Sequence, residues 1–276
     1  MTHRGTQVGF TEALPSVIRD GREESLRHNN DVDWDKFDPD AHWAHNYQNL
    51  SSDDRTIIQQ VAGFFSQYFQ QTPGTELLRG LDVGSGGNLY PALGLLPWSG
   101  RITLTDPAPA SISWLRRAAA GTGMENSQGD WYWQPFWAEY AEFPGYQQLA
   151  NPRQLLAARH DVRRYSVLNL ARANWDIGTM FFVAESITAQ PEEFADAVDS
   201  FFGALVPGAP FAVACRVPLP TVRQMDSKTI ETALSRHCHT LEITRIDALA
   251  AQHQAANTQP GTIIAVGTTN PHPKSA

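Results

Sequence analysis

Residues Leu81–Tyr90 read "LDVGSGGNLY": an apolar run, an acid, then a glycine-rich turn. A turn of this kind between a strand and a helix marks an open α/β sheet, where ligands bind beyond the carboxyl ends of the strands. Gly84, Gly86 and Gly87 remove side chains where backbone must press against a ligand. A dinucleotide fingerprint wants a third glycine where Leu89 stands, and a phosphate-binding P-loop wants Gly-Lys-Ser/Thr after the turn; both are missing. Instead Asp82 lies two residues before the first glycine, where it would repel a pyrophosphate but suit a cationic ligand. Twenty residues after Gly86, "TLTD" ends a second strand with Asp106, placed to bond two ribose hydroxyls. A cation-tolerant loop with a ribose acid points to S-adenosylmethionine, a sulfonium nucleoside that carries no phosphate, with S-adenosylhomocysteine as its product. A tight turn with a capping acid and no ligand is the plain alternative.

Outward from this stretch, strand and helix patterns alternate. "LLRGLDV", "RITLTD", "RRYSVLNL", "WDIGTMFFVAES", "PFAVACRV", "LEITRI" and "GTIIAVGTT" read as strands. "NLYPALGLL", "PASISWLRRAAAG", "QPEEFADAVDSFFGAL" and "TVRQMDSKTIETALSRHC" read as helices between them. The alternation predicts a Rossmann-like, mostly parallel seven-stranded sheet with helices on both faces. Before it, "DDRTIIQQVAGFFSQYF" places Ile57, Ile58, Val61, Phe64, Phe65 and Tyr68 on one helix side, with Asp53 and Asp54 at its N-terminus. We expect residues 1–33 to be a mobile arm, 34–72 a helical lid and 73–276 the catalytic domain. Within that domain, 121–161 is too long for a turn and reads as an insertion beside the substrate site.

Composition narrows the class. The 276 residues are 42% hydrophobic, enough for one large α/β domain. Twenty-one Lys and Arg against 29 Asp and Glu give a net charge of -8 without a basic stripe, which disfavours nucleic-acid substrates. Cys215 and Cys238 form no CxxC pair and fit a reducing compartment. The start lacks an apolar signal core, and "FFGALVPGAPFAVAC" is interrupted by Pro207 and Pro210, so no membrane span is expected. The chain reads as soluble and cytoplasmic, with a small-molecule substrate; its oligomeric state is left open. "HCHT", His237–His239, follows a helix with neighbouring side chains pointing apart, so it reads as surface, and no metal is called for.

From Phe37 to the last strand, four motifs carry a resemblance to the small-molecule methyltransferases that include the nicotinamide, phenylethanolamine and thioether enzymes, particularly their bacterial relatives. "FDPDAHWAHNY" is similar to the family's cofactor lid, "LDVGSGGNLY" to its glycine loop, "TLTDPAPAS" to its ribose strand, and "MFFVAESITAQPEEF" to the segment beside the transferred methyl. The resemblance implies that Tyr47 and Tyr90 contact the cofactor, with Gly84, Ser85 and Gly86 under it. It also implies that Asp106 binds the ribose and that Asn169 and Leu170 flank the adenine, where an acid is more usual than asparagine. Other departures are His42 for the first lid tyrosine, Ser111 as the polar residue after the ribose acid, and "VPGAP" for a PGG turn. Arg216 stands where the nicotinamide enzyme carries an acid, which argues against nicotinamide itself.

The residues suggest a division of labour. Glu185 follows the apolar strand and would take a proton or orient a donor; as a plain alternative it caps backbone amides. His42 would line the lid or move a proton. Arg216, with Arg223 a weaker candidate, would clamp a carboxylate or phosphate; alternatively it pairs with Glu185. Trp131, Trp133, Phe136, Trp137 and Tyr140 would wall an apolar substrate, or merely pin the insertion. The leading expectation is N-methylation of an amine or aromatic nitrogen. The runner-up is C-methylation of an isoprenyl diphosphate held by Arg216, with Glu185 as base. A cofactor-binding module without turnover and an NAD-dependent reductase stand behind both.

Overall fold

The computed structural model describes residues 28–74, 76–126, 129–217, 226–247 and 261–271. Seven strands form one sheet: β1 (Leu78–Val83), β2 (Ser99–Thr105), β3 (His160–Arg163), β4 (Ile177–Phe181), β5 (Pro210–Val217), β6 (Cys238–Asp247) and β7 (Gly261–Thr269). Their spatial order is β3-β2-β1-β4-β5-β7-β6, with only β7 antiparallel to its neighbours. This is a Rossmann-like, doubly wound sheet, and the order reverses between β1 and β4, beside the glycine loop.

Alternating side chains divide the core. Ile102, Leu104, Ile177, Phe181, Ala212, Ala214, Ile264 and Val266 pack on one face, and Leu81, Val83, Met180, Phe211, Val213, Cys215, Ile263 and Ala265 on the other. The first face is covered by α2 (Ser52–Gln71), α4 (Pro109–Ala119), α5 (Gln134–Tyr140) and α6 (Pro152–Arg159). The second is covered by α7 (Ala184–Ile187), α8 (Pro191–Ala204) and α9 (Ser227–Ser235). By the same parity Asp82, Thr179 and Arg216 belong to the α2 side.

Two other helices bear on the site. α1 (Pro39–Asn46) starts on Asp38, whose carboxylate accepts from the Asp40 and Ala41 amides, with Pro39 at its first position. α3 (Tyr90–Leu93) is one turn long, much shorter than the helix read in "NLYPALGLL". Asn88 takes the Tyr90 amide, and the chain turns at Gly94–Leu96 by short-range bonds.

Other expectations need revising. The strand read in "RRYSVLNL" lies earlier, at His160–Arg163, and Val167–Asn169 form a 3-10 turn. Ser166 caps that turn by accepting from Leu168, while Tyr165 and Leu168 stay exposed and so lack the burial a strand would give them. The 121–161 segment contains α5 and α6 and ends on β3 itself. Residues 28–33, read as part of an arm, are held to α8. His28 Nδ1 lies 2.7 Å from Glu193 Oε1, and Asn29 N–H donates to Glu193 Oε2 at 2.8 Å. The "HCHT" stretch is not plain surface: His237 stacks on Phe202 at 5.1 Å and bonds Asp199 at 2.6 Å.

Candidate active site

The glycine loop begins at the end of β1, where Asp82 is buried. Ser85 Oγ donates to its Oδ2 (2.7 Å) and Thr179 Oγ1 to its Oδ1 (2.8 Å). Both oxygens are thus engaged by hydroxyls, and burial pushes the acid up to about 7. Asp82 and Ser85 therefore tie the loop to β4.

The three glycines have three different reasons. A Cβ on Gly84 (φ +64°) would lie 2.4 Å from Val183 Cγ2, and one on Gly87 would lie 2.4 Å from the Pro39 carbonyl oxygen. Those two accommodate protein neighbours, α7's approach and the lid, which corrects the reading that every glycine yields to a ligand. Gly86 (φ +47°) is the exception, since its nearest neighbours are at van der Waals distance: Asp106 Oδ2 and the Gly84 carbonyl at 3.6 Å, and Phe37 Cζ at 3.9 Å.

Asp106 closes the loop. Its Oδ2 accepts from the Gly86 amide at 3.1 Å and its Oδ1 from Ala108 at 2.9 Å, and the residue is 7% exposed. Burial pushes it up to about 6, against those two amides and the adjacent Ser111 hydroxyl. Ser111 Oγ itself is buried without a formed hydrogen bond.

Above the loop lies the lid. Trp114 Nε1 donates to Asp40 at 2.9 Å, fastening α1 to α4. Phe37, His42, Tyr47 and Tyr90 form a continuous aromatic wall, with successive centroids 5.3, 5.6 and 5.8 Å apart. Burial, with Arg216 and His45 nearby, pushes His42 down to about 4, so its imidazole is neutral at physiological pH and serves better as wall than as base. The insertion completes the wall. Trp133, fully buried, sits 6.3 Å from Tyr47, and Phe136 stacks on Tyr90 at 5.3 Å. Trp137 instead joins Tyr140 and Tyr146 behind it, so only one of the two tryptophans expected at the substrate borders the aromatic wall.

Opposite, Glu185 begins α7 and reaches β5. The Arg216 backbone N–H donates to its Oε1 at 2.8 Å, while Oε2 is buried without a partner. Burial pushes this carboxyl up to about 7, against the Arg216 N–H and charge. Glu185 therefore meets Arg216 through the main chain; no side-chain ion pair of Arg216 occurs among the described residues. The guanidinium lies over the Phe182 ring, 4.9 Å from its centroid. Phe182 has φ +61°, rare for a bulky side chain, and its N–H is held by the Ala214 carbonyl at 2.7 Å. Strain of this kind, on the order of 1–3 kcal/mol, clusters where a site is built.

Asn169 is exposed and Leu170 buried, on the turn that packs against α8. Arg223 lies outside the described residues. Sequence reasoning gave no site role to Phe37, Phe182 or Asp54. Asp54 is 6% exposed and reaches the same wall, where Tyr90, Tyr47 and Arg216 act on it or feel its charge. Its only signal was the Ser-x-x-Asp pattern of a helix start. Among the described residues, no three His, Cys, Asp or Glu side chains gather as metal ligands, and no helix is long and apolar enough to cross a membrane.

No protein-family model and no curated protein sequence matches the chain. Solved structures similar to it include the N-methyltransferase NodS of Bradyrhizobium japonicum with S-adenosyl-L-homocysteine, at 15% identity and TM-score 0.44, over 79% of this chain and 86% of that one. A SAM-dependent methyltransferase of Methanosarcina mazei is 13% identical over 74% and 97%, with TM-score 0.44. The [4+2]-cyclase SpnF is 14% identical over 76% and 80%, with TM-score 0.43. Likeness at this level concerns the fold, and no residue role is taken from it.

Proposed function

We propose that the chain is an S-adenosylmethionine-dependent methyltransferase acting on a small molecule, with transfer to an amine or aromatic nitrogen. One observation carries the reading: the buried Asp106 carboxylate is held across the glycine loop by the Gly86 and Ala108 amides, directly under an aromatic lid. Such a carboxylate suits a ribose diol, and the Tyr47 and Tyr90 faces suit a sulfonium. The partnerless Tyr90 Oη and Glu185 Oε2 are further polar atoms that a bound molecule would satisfy. The residues therefore fit this cofactor.

When bound, S-adenosylmethionine supplies an electrophilic methyl group. The chain's own part is positioning and exclusion of water. The Arg216 N–H fixes Oε1 of Glu185, leaving Oε2 to accept the proton shed by the acceptor. With a pKa of about 7, this carboxyl is poised for that exchange near neutral pH. His42, neutral, and Trp133 keep the wall dry.

A second reading is favoured by Arg216, whose guanidinium has no carboxylate partner among the described residues. An anionic substrate such as an isoprenyl diphosphate would take that charge, with C-methylation and Glu185 as base. The test is calorimetry on protein saturated with S-adenosylhomocysteine, comparing geranyl diphosphate with an aromatic amine, in wild type and Arg216→Ala. Amine binding indifferent to Arg216 supports the first reading, and diphosphate binding lost with the arginine supports the second. Cofactor binding without turnover on either class would mark a module that does not catalyse.

A further inference from the structure

The methyl donor is a cation, and of the acids around the aromatic wall Asp106 and Glu185 have roles so far. Asp54 has none. It sits in the first turn of α2, 6% exposed, on the side of the sheet to which Arg216 points. Ser51 Oγ donates to its Oδ2 at 2.6 Å and accepts its amide at 3.0 Å. The Tyr90 hydroxyl is the other side chain that bears on this carboxyl. A helix start accounts for an acid here but not for its burial, since Asp53 beside it, less buried, already offers the helix dipole a charge. Burying a carboxylate is costly, and burial raises its pKa against the Ser51 and Tyr90 hydroxyls. Arg216, whose charge acts on it, makes no ion pair with it within 4 Å. The Tyr90 hydroxyl, wholly buried and without a well-formed hydrogen bond, faces this same carboxyl. Tyr47 and Tyr90, 5.8 Å apart, flank the same place with two aromatic faces.

We infer that Asp54 is the buried counter-charge against which the sulfonium of the methyl donor binds, with the Tyr47 and Tyr90 rings as its walls. The inference rests on the cofactor reading above. The site would thus prefer the donor to its neutral thioether product and help the product leave.

The experiment is calorimetric titration of the full chain with S-adenosylmethionine and, separately, with S-adenosylhomocysteine. Asp54→Asn keeps an acceptor for Ser51 and removes the charge. It should weaken binding of the sulfonium by about tenfold or more relative to the thioether, whose affinity changes little. Asp54→Glu should restore the preference. Equal loss for both ligands, or no loss for either, overturns the inference. Should Asp54→Asn fail to give a cooperative thermal transition, Asp54→Ser removes the same charge and is read by the same ratio. A wild-type protein that binds neither ligand refutes the cofactor reading itself. Wild-type binding with an unchanged ratio in the variant refutes only the role of Asp54.

Discussion

Replacing Gly87 by alanine should loosen the lid while leaving the sheet intact. The new Cβ would sit 2.4 Å from the Pro39 carbonyl oxygen and 3.3 Å from the Trp43 amide nitrogen, both backbone atoms of α1 with no rotamer to yield. An ordinary contact requires the start of α1 to retreat by about 1 Å, an overpacking cost of roughly 1–3 kcal/mol. The lid is tied down mainly by the Trp114–Asp40 bond and by its aromatic ring contacts, so undocking α1 relieves the clash more cheaply than unfolding β1. That cost corresponds to roughly a 10- to 100-fold loss of hydrogen-exchange protection in α1, read from amides such as Tyr47 N–H, which bonds the Trp43 carbonyl. Gly86→Ala is the control. Its φ of +47° costs about 1–2 kcal/mol in the left-handed region, but its nearest neighbours stand at 3.6 Å, so α1 should keep its protection. Exchange measured by mass spectrometry over residues 37–50 in both variants decides the matter. Unchanged α1 protection in Gly87→Ala, or equal loss in both, would refute the docking argument.

Other consequences can be measured directly. Burial raises Asp82 to about 7 and Asp106 to about 6, so the folded state holds protons that the unfolded chain releases near pH 4. Their contribution to the stability of the ligand-free protein is therefore present below about pH 4 and lost as pH rises to about 7, with His42, pushed down to about 4, opposing it in the same window. Thermal melts across that range check this, and Asp82→Asn should flatten the profile. Trp114→Phe removes the Asp40 partner and should cost about 1 kcal/mol, seen as earlier exchange of α1 rather than a lower global transition. Phe182→Gly relieves a strained φ but removes the ring beneath Arg216; it should leave stability within about 1–2 kcal/mol while weakening any anion binding that depends on Arg216.

Much of this architecture was legible because burial on both faces writes itself into the chain. "GTMFFVA" and "PFAVACRV" are nearly continuous apolar runs, as buried parallel strands require, and they became β4 and β5. β3 was misplaced because it is the edge strand, with one buried residue, Val162, among polar neighbours. Asp106 and the glycine turn were readable from spacing, yet the separate reasons for Gly84 and Gly87 lie in Val183 and Pro39, which come from other segments. Asp54 was hidden for a related reason. Its helix-start pattern is ordinary, and only the packing of α2 on the sheet makes it a buried charge. Trp133 and Trp137 show the same limit, since Trp133, just before α5, borders the cofactor wall while Trp137 within α5 faces the interior.

The central claim is that the loop at Gly86 and the carboxylate of Asp106 hold S-adenosylmethionine. Its most direct test is calorimetric titration of the full chain with S-adenosylhomocysteine, alongside NADH and the Asp106→Ala variant. The account predicts saturable one-site binding of the homocysteine ligand, no binding of NADH, and a loss of roughly 3 kcal/mol, about 100-fold, in the variant as two charge-assisted ribose bonds disappear. Binding that survives unchanged in Asp106→Ala, or NADH binding in its place, would contradict it.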